Sequence, residues 1–242
     1  MQDGSGVLAQ GPAEAAPRPW RDLGVRAASA AILAPLGFAA LWWGGLWLYL
    51  AATTMTVVAS SEWAAMMRVD KTKRRPFILT ALVGAIYILP ATPLLLWLSD
   101  DPVAGRANII FIVLIVWCSD IGAYLIGRLV GGPKLAPSIS PGKTRSGAAG
   151  GLIAAMLVGW VAAALWGVPP LQGILIAGVL GMVSQLGDLF ESAAKRHFGV
   201  KDSGHIIPGH GGVLDRIDGL LTAVPAAALL VLILGQGKVL WQ

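Results

Sequence analysis

Four aspartates occupy segments that are otherwise apolar enough to cross a membrane. Asp120 lies in VWCSDIGAYLIGR, Asp188 lies in SQLGDLFESAAKR, and Asp215 and Asp218 stand at the start of the last apolar run. A carboxylate within a membrane helix costs at least about 2.5 kcal/mol on insertion scales, so it normally faces a partner, a cavity or an ion. The four aspartates are therefore the first candidates for chemistry.

Helical spacing places these aspartates beside a cation and a hydroxyl. Asp188, Ser192 and Lys195 follow one another at intervals of four and three residues, and Asp215 and Asp218 are three apart, so each set shares a helix face. Clustered carboxylates without cysteine suit a hard cation such as Mg²⁺, with neighbouring cations on substrate phosphates. The alternative is a set of ion pairs and caps at helix ends, which the helix dipole favours.

A second polar cluster is the segment GGPKLAPSISPGKTRSG, residues 131–147, which we predict to be a loop. Its Gly-Lys-Thr ending is typical of a phosphate-binding P-loop, but Pro137 stands where that motif needs glycine, and no soluble strand precedes it. Ser140, Lys143 and Thr144 can still offer hydroxyls and a cation to phosphate oxygens. The alternative is an ordinary basic loop on the inner side of a membrane.

The histidines do not form a recognisable zinc site. His197, His205 and His210 have no cysteine nearby, and neither an HExxH helix nor zinc-finger spacing is present. Gly211 and Gly212 instead predict a tight turn that brings backbone amides to an anion or lets helices pack closely.

The composition describes the protein that must position these residues. Hydrophobic residues make up 56% and charged residues 13% of the 242, and the mean hydropathy is +0.71, which indicates an all-α polytopic membrane protein. The single cysteine excludes a disulfide within the chain. Residues 1–24 lack an apolar core, so we predict a disordered cytoplasmic tail there and one transmembrane domain over residues 25–242.

About seven apolar runs reach the roughly 20 residues that span a bilayer. We expect an interfacial turn between the first two, where Trp42, Trp43, Gly44 and Gly45 form the break, with one long bent segment as the alternative. The predicted helices are 25–43, 45–66, 76–98, 107–127, 147–166, 172–193 and 217–236.

The positive charges orient these helices. With a cytoplasmic amino terminus, sixteen of the 18 Lys and Arg residues fall in inner segments, and only Arg106 and Lys238 fall outside. All four aspartates then approach the cytoplasmic face. The net charge of +5 reflects this orientation and an attraction to anionic lipid, since no separate basic domain exists to bind nucleic acid.

Residues 192–218, SAAKRHFGVKDSGHIIPGHGGVLDRID, closely resemble the signature of the phosphatidate cytidylyltransferase (CDP-diacylglycerol synthase) family. Ser, Lys-Arg, Lys-Asp, His-Gly-Gly and Asp-Arg-x-Asp stand at matching intervals. The segments SDIGAYLIGRLVGGPKLAPSISPGKTRSGAAGG and QLGDLFES are similar to two further blocks, and EWAAMM carries the likeness in the front half. This chain departs from the family in a shorter front half and in Arg145-Ser146-Gly147, where the family has Trp-Glu-Gly.

The resemblance implies transfer of a cytidylyl group from CTP to phosphatidate, giving CDP-diacylglycerol and pyrophosphate for phospholipid synthesis at a bacterial inner membrane. It implies Mg²⁺, with scope for a second cation, on Asp188, Asp215 and Asp218, a supporting role for Asp120, and a homodimer. It assigns catalysis and phosphate neutralisation to Lys195, Arg196, Lys201, Asp202 and Arg216, and substrate binding to Ser140, Lys143, Thr144, Ser192, His210, Gly211 and Gly212.

Two other classes of protein place carboxylates in membrane helices. A CTP-dependent lipid kinase would use the same substrate chemistry but transfer the γ-phosphoryl group and release CDP. A transporter normally holds its carboxylates near mid-membrane within inverted repeats, and no internal repeat is evident here.

Overall fold

The protein folds into helices with one short strand pair, seen in a computed structural model that describes residues 19–69, 77–209, 211–234 and 240. The prediction of an all-α membrane protein is confirmed. In chain order the elements are α1 (Pro19–Trp43), α2 (Gly45–Val69), α3 (Phe77–Ile88), α4 (Ala91–Ser99), α5 (Gly105–Val130), β1 (Lys134–Ala136), β2 (Ser140–Thr144), α6 (Arg145–Trp166), α7 (Pro170–Phe198) and α8 (Leu214–Leu234).

Five helical segments among the described residues are long and apolar enough to cross a membrane. A helix rises about 1.5 Å per residue, so about 20 residues cover the 30 Å of a bilayer's hydrocarbon core. α1 contributes a shorter apolar segment, Ala31–Trp43, and α2 is not among the five. The five are Phe77–Ser99, Gly105–Val130, Arg145–Trp166, Pro170–Phe198 and Leu214–Leu234.

The first and last residues of α1 can be compared with two boundaries predicted from the sequence, the end of the tail and the break after Trp43. α1 begins at Pro19, so residues 19–24, predicted as the end of a disordered tail, are helical. Proline suits the first helical position because the N–H it lacks would be unpaired there. Residues 1–18 lie outside the described part of the chain. The predicted break after Trp43 is confirmed, since Gly44, with a φ of 63°, separates α1 from α2.

A break divides the third predicted helix, 76–98, into α3 and α4. α3 ends at Ile88, and Pro90 precedes α4 with a φ of −67° and a ψ of −26°. Proline has no N–H to donate and its ring crowds the preceding turn, so it interrupts the helical hydrogen bonds. The predicted membrane segment 76–98 therefore consists of two helical pieces, which together form one apolar segment long enough to cross a membrane, Phe77–Ser99.

The segment 131–147, predicted as a loop, contains an antiparallel strand pair. Lys134 pairs with Thr144 and Ala136 pairs with Ser140, with an irregularity between the two pairs. Strands this short show no clear alternation of apolar and polar residues, so the sequence does not reveal them. The pairing folds the segment back at the end of α5 and delivers β2 to the start of α6.

The core lies among α5, α6, α7 and α8, which pack against one another in chain order. Ile112, Ile115, Leu180 and Val231 are completely buried at its centre. In lipid the apolar tails compete with helix contacts, so close van der Waals packing between small residues contributes much of the association. The polar ends of these four helices are held in register by that packing.

Glycines let α6 approach the helix before it. A Cβ at Gly151 would lie 2.7 Å from the backbone oxygen of Ser119, and a Cβ at Gly147 would lie 2.7 Å from that of Ala123. Neither distance is sterically tolerable. Gly150, between them, lies against a side chain of α5, since a Cβ there would lie 2.5 Å from the Cβ of Ile126.

We expect Gly151→Val to destabilise the protein, because the new side chain would force α5 and α6 apart at a cost of about 1–3 kcal/mol or more. Gly37→Val in α1 is the matched control, since a Cβ there meets nothing within 4 Å. Thermal melting in detergent should give a clearly lower transition for Gly151→Val alone. Equal melting temperatures would contradict the tight α5–α6 contact.

Candidate active site

Polar side chains from α7, α8 and the β1–β2 segment converge at one end of the bundle. Lys143 of β2 forms an ion pair with Asp188 of α7, and Lys195 of α7 forms one with Asp215 of α8. Arg196 donates from Nε to the backbone oxygen of Ile139, 3.2 Å away. These contacts fix the two polar clusters of the sequence against each other, as parts of one site.

The centre of the site is acidic. Asp188 and Glu191 are three residues apart on α7, and Asp218 lies on α8 beside them, so that one carboxylate oxygen from each lies within 4.8 Å of the others. Glu191 is only 1% exposed, and its Oε1 atom has no hydrogen-bond partner. An unpaired, buried carboxylate oxygen is energetically costly, so Oε1 of Glu191 would be stabilised by a further positively charged partner.

The chemistry of these donors fits a hard divalent cation. Asp188, Glu191 and Asp218 offer oxygen and neither sulfur nor imidazole nitrogen. Mg²⁺ and Ca²⁺ prefer such ligands, and Mg²⁺ characteristically keeps open positions for water and phosphate.

Lys195 stands beside the acidic centre and is bound by two carboxylates. Its Nζ lies 2.5 Å from Glu191 Oε2, one helical turn away, and 2.6 Å from Asp215 Oδ1. The side chains of Lys195 and Asp215 are 13% and 10% exposed, so their pairing is largely shielded from water. A shielded pair holds its geometry more firmly than a surface pair, because neither charge can be left alone without a large desolvation cost.

Asp215, predicted as a metal ligand, is held by the protein. Besides Lys195, it accepts from the backbone N–H groups of Ser203 and Gly212, with Oδ2 3.1 and 3.0 Å from the two nitrogens. A carboxylate in the first turn of a helix commonly reaches back to the preceding backbone in this way. The structure therefore groups Asp188 and Asp218 with Glu191, and leaves Asp215 in a neighbouring ion pair.

The glycine-rich turn before α8 closes on itself. Ile207 and Gly211 exchange two backbone hydrogen bonds of 3.0 and 3.2 Å, and Gly209 and Gly211 have φ values of 75° and 85°, a conformation that favours glycine. The N–H groups of Gly211 and Gly212, predicted to meet an anion, donate within the protein instead. His210 lies outside the described residues.

Lys143 reaches the site from the strand pair. Its ammonium contacts Asp188, and the two side chains are 30% and 29% exposed, so solvent or a ligand can reach the pair. Thr144, the next residue, is 7% exposed and caps α6 by accepting from the N–H of Gly147 at 3.0 Å. Among the three predicted phosphate contacts of this segment, Lys143 thus borders the acidic centre and Thr144 caps the helix that follows it.

The other predicted site residues surround this centre. Asp120 lies on an exposed face of α5 and interacts electrostatically with Asp188 and Lys143. The half-buried members are Ser140 and Ser192, and the exposed members are Arg196, Lys201, Asp202 and Arg216.

Sequence reasoning missed Glu191 and Glu62. Glu191 lies three residues after Asp188 and four before Lys195, so its position on the same helix face was a usable signal. Glu62, in α2, is 3% exposed and hydrogen-bonds to the segment that precedes α8. Its sequence signals were a charge within an apolar run and its place at the start of EWAAMM, the front-half segment similar to the family.

The fold and this site define an integral membrane protein that gathers carboxylates and cations at one end of a helical bundle. The chain belongs to the cytidylyltransferase family, whose profile matches residues 77–234. The matched region contains the acidic centre, Lys143, Lys195 and Asp215.

Several bacterial proteins named phosphatidate cytidylyltransferase are similar to this chain. The protein from Brucella suis is 54% identical over 140 residues, which cover 55% of this chain and 48% of the relative. The protein from Staphylococcus saprophyticus is 45% identical over 144 residues, which cover 57% of this chain and 54% of the relative. The protein from Haemophilus influenzae is 47% identical over 133 residues, which cover 52% of this chain and 46% of the relative. The matching region spans about half the length of these relatives.

Loss of charge at Asp215 and at Asp218 should affect the stability of the protein differently. Asp215→Asn removes one partner of Lys195 from a shielded ion pair, and breaking a buried pair costs about 3–5 kcal/mol when no partner remains. Because Lys195 keeps Glu191, we expect the free energy of unfolding to fall by an amount at the lower end of that range. Asp218→Asn keeps an oxygen for the N–H of Gly219 and reduces repulsion among the carboxylates, so we expect no loss of stability. Melting in metal-free detergent solution measures both variants, and equal destabilisation would contradict the assignment of separate roles.

Proposed function

We propose that this protein transfers the cytidylyl group of CTP to phosphatidate, forming CDP-diacylglycerol and pyrophosphate. The observation that carries the proposal is the oxygen cluster of the buried Glu191 and the half-buried Asp188 and Asp218, with Lys143 and Lys195 at its border. The names of the relatives and the family match support the same reaction. Both substrates carry phosphate, and the site combines a place for a cation with side chains that bind anions.

In this reaction a phosphate oxygen of the lipid attacks the α-phosphorus of CTP. A bond forms between these two atoms, the bond from the α-phosphorus to the bridging oxygen of the β-phosphate breaks, and pyrophosphate leaves with that electron pair. The attacking phosphate is already ionised near neutral pH, so a general base is unnecessary. The protein must chiefly align two anions and neutralise the charge on them.

We assign one Mg²⁺ to Asp188, Glu191 and Asp218, in place of the set with Asp215 that the resemblance implies. When bound, the cation would supply positive charge to the nucleotide phosphates. Glu191 and Asp215 both contact Lys195, but they differ in their second oxygen. Oε1 of Glu191 has no hydrogen-bond partner, whereas Oδ2 of Asp215 accepts from two backbone N–H groups, which supports Glu191 as the ligand.

The proposed role of each basic residue depends on how exposed its side chain is. Lys143 is partly exposed and bound to one carboxylate, so it can exchange Asp188 for a substrate phosphate. Lys195 is held between Glu191 and Asp215 and presents a fixed positive charge beside the cation site. Exposed cations on the rim, Arg196, Lys201 and Arg216, can draw the triphosphate of CTP inward.

We further propose that all seven helical segments cross a bacterial inner membrane, with the amino terminus and the site in the cytoplasm. Ser29 of α1 contacts Pro208, and Glu62 of α2 contacts Leu214, so the start of α1 and the end of α2 lie at the site's end of the bundle. Arg106 covers the ring of Trp42 at the opposite end. This arrangement supports the topology expected from the positive charges, and CTP is available only on the cytoplasmic side. A homodimer is proposed from the family resemblance alone.

Purified protein supplied with CTP, phosphatidate and Mg²⁺ should release pyrophosphate. We expect Asp188→Asn, Glu191→Gln and Asp218→Asn each to lower this rate by about 100-fold or more, beyond the 10- to 100-fold typical of residues that only support metal ligands. Asp100→Asn, an exposed carboxylate at the other end of the bundle, should keep the parental rate.

Product analysis separates this reaction from its nearest alternative. Release of CDP would indicate a lipid kinase. Parental activity in Asp218→Asn or Glu191→Gln would contradict the metal assignment only, because release of pyrophosphate by the parent protein would still support the reaction.

The proposed orientation predicts which introduced cysteines react from outside. In a Cys118→Ala background, Val103→Cys lies on a turn that is 90% exposed and should be labelled by an impermeant maleimide in intact cells. Ser138→Cys, exposed between β1 and β2, should react only after the membrane is permeabilised. Labelling of Ser138→Cys in intact cells would overturn the cytoplasmic site.

A further inference from the structure

Glu62 is a buried carboxylate that lies outside residues 77–234, which the family profile matches. It is 3% exposed in α2, and it accepts three hydrogen bonds from the segment 203–214, which leads into α8. Oε1 lies 3.0 Å from the backbone nitrogen of Val213, and Oε2 lies 2.8 Å from that of Leu214 and 3.2 Å from Ser203 Oγ. Both oxygens are therefore used.

This carboxylate caps α8 from a distant helix. Leu214 is the first residue of α8, where backbone N–H groups have no partner within the helix. A negative charge at this position also complements the positive end of the helix dipole. A residue 152 positions earlier in the chain therefore fixes where α8 begins.

Two glycines of the segment, Gly204 and Gly212, lie against Glu62 without room for a side chain. A Cβ at Gly204 would lie 2.5 Å from Oε1, and a Cβ at Gly212 would lie 2.7 Å from Oε2. The same segment donates the N–H groups of Ser203 and Gly212 to Asp215. It is thus held between two carboxylates, one from α2 and one from α8.

We propose that Glu62 is a positioning residue for the reaction. By holding the segment 203–214, it sets the place of Asp215, whose carboxylate in turn orients the ammonium of Lys195. This inference rests on the proposed function, in which Lys195 supplies charge to the phosphates. The front half of the chain then contributes directly to the site, through a side chain that never touches substrate.

Glu62→Gln tests the proposal, with Ser61→Ala as the control. The glutamine amide keeps the size of the side chain but points a donor at one of the N–H groups, so the segment should lose its fixed position. We expect the KM for CTP to rise and kcat to fall, each by about tenfold, as for the loss of one charge-assisted hydrogen bond. Ser61 is exposed and donates only to the backbone oxygen of Val58, so its variant should match the parent.

Two readouts separate positioning from a general loss of stability. A smaller folded fraction lowers the apparent kcat but leaves the KM for CTP unchanged, whereas a displaced Lys195 changes both. Hydrogen exchange should also accelerate in peptides from 203–214 and stay parental in α6. A parental KM in Glu62→Gln, or faster exchange throughout the protein, would overturn the proposal.

Ser203→Ala keeps the test decisive if Glu62→Gln does not fold. It removes one of the three hydrogen bonds to Glu62, so we expect a smaller rise of about threefold in the KM for CTP and the same local exchange pattern. Parental values of both would contradict the proposal. If the parent protein itself releases no pyrophosphate, the proposed function fails. The role of Glu62 is then tested by hydrogen exchange alone, and an unchanged exchange rate of 203–214 in Glu62→Gln and Ser203→Ala would show that Glu62 does not hold the segment.

Discussion

The ammonium of Lys195 joins the two helices on which the site depends, because it contacts Glu191 on its own helix and Asp215 on α8. In surroundings this apolar, a carboxylate without a partner is costly, so each acidic side chain must find a cation, a backbone donor or a ligand. Lys195 contacts one oxygen of Glu191, and the other oxygen has no hydrogen-bond partner, in a residue whose carboxylate lies beside those of Asp188 and Asp218. The same ion pair therefore stabilises the helix ends and leaves an incomplete oxygen cluster beside them.

Small residues make this convergence possible. The polar ends of α5, α6, α7 and α8 can meet only if the helices run close together. Gly147 and Gly151 bring the backbones of α5 and α6 into contact. The contact between α6 and α7 is of the same kind, since Gly159 and Gly173 face each other with no room for a side chain. Close backbone packing thus sets the spacing at which Lys143 meets Asp188.

The front half supports the site from the side. Tyr87 of α3 donates to the backbone oxygen of Asp218 at 3.2 Å, and its ring packs against Phe190 of α7. Trp63 stacks on Phe190 and donates to the backbone oxygen of Thr80. Together with Glu62, the neighbour of Trp63, these contacts connect α2 and α3 to the helices that carry the acidic centre, which is why the front half is more than a membrane anchor.

Much of the architecture could be predicted from the sequence, because hydropathy and helical period are local properties. They indicated a membrane bundle, the break at Gly44 and the shared face of Asp188 and Lys195. The interruption at Pro90 was also a local signal, but its apolar neighbours masked it.

The partners of the charged residues were decided only by the tertiary structure. Lys143 pairs with a carboxylate 45 residues away and Glu62 with an N–H 152 residues away, distances at which no periodic pattern carries information. The choice of Glu191 over Asp215 for the oxygen cluster depends on how α7 and α8 cross, since that crossing places Lys195 between them. The sequence determined which charges interrupt the apolar segments, and packing determined which carboxylates meet in one cluster and which are held in ion pairs.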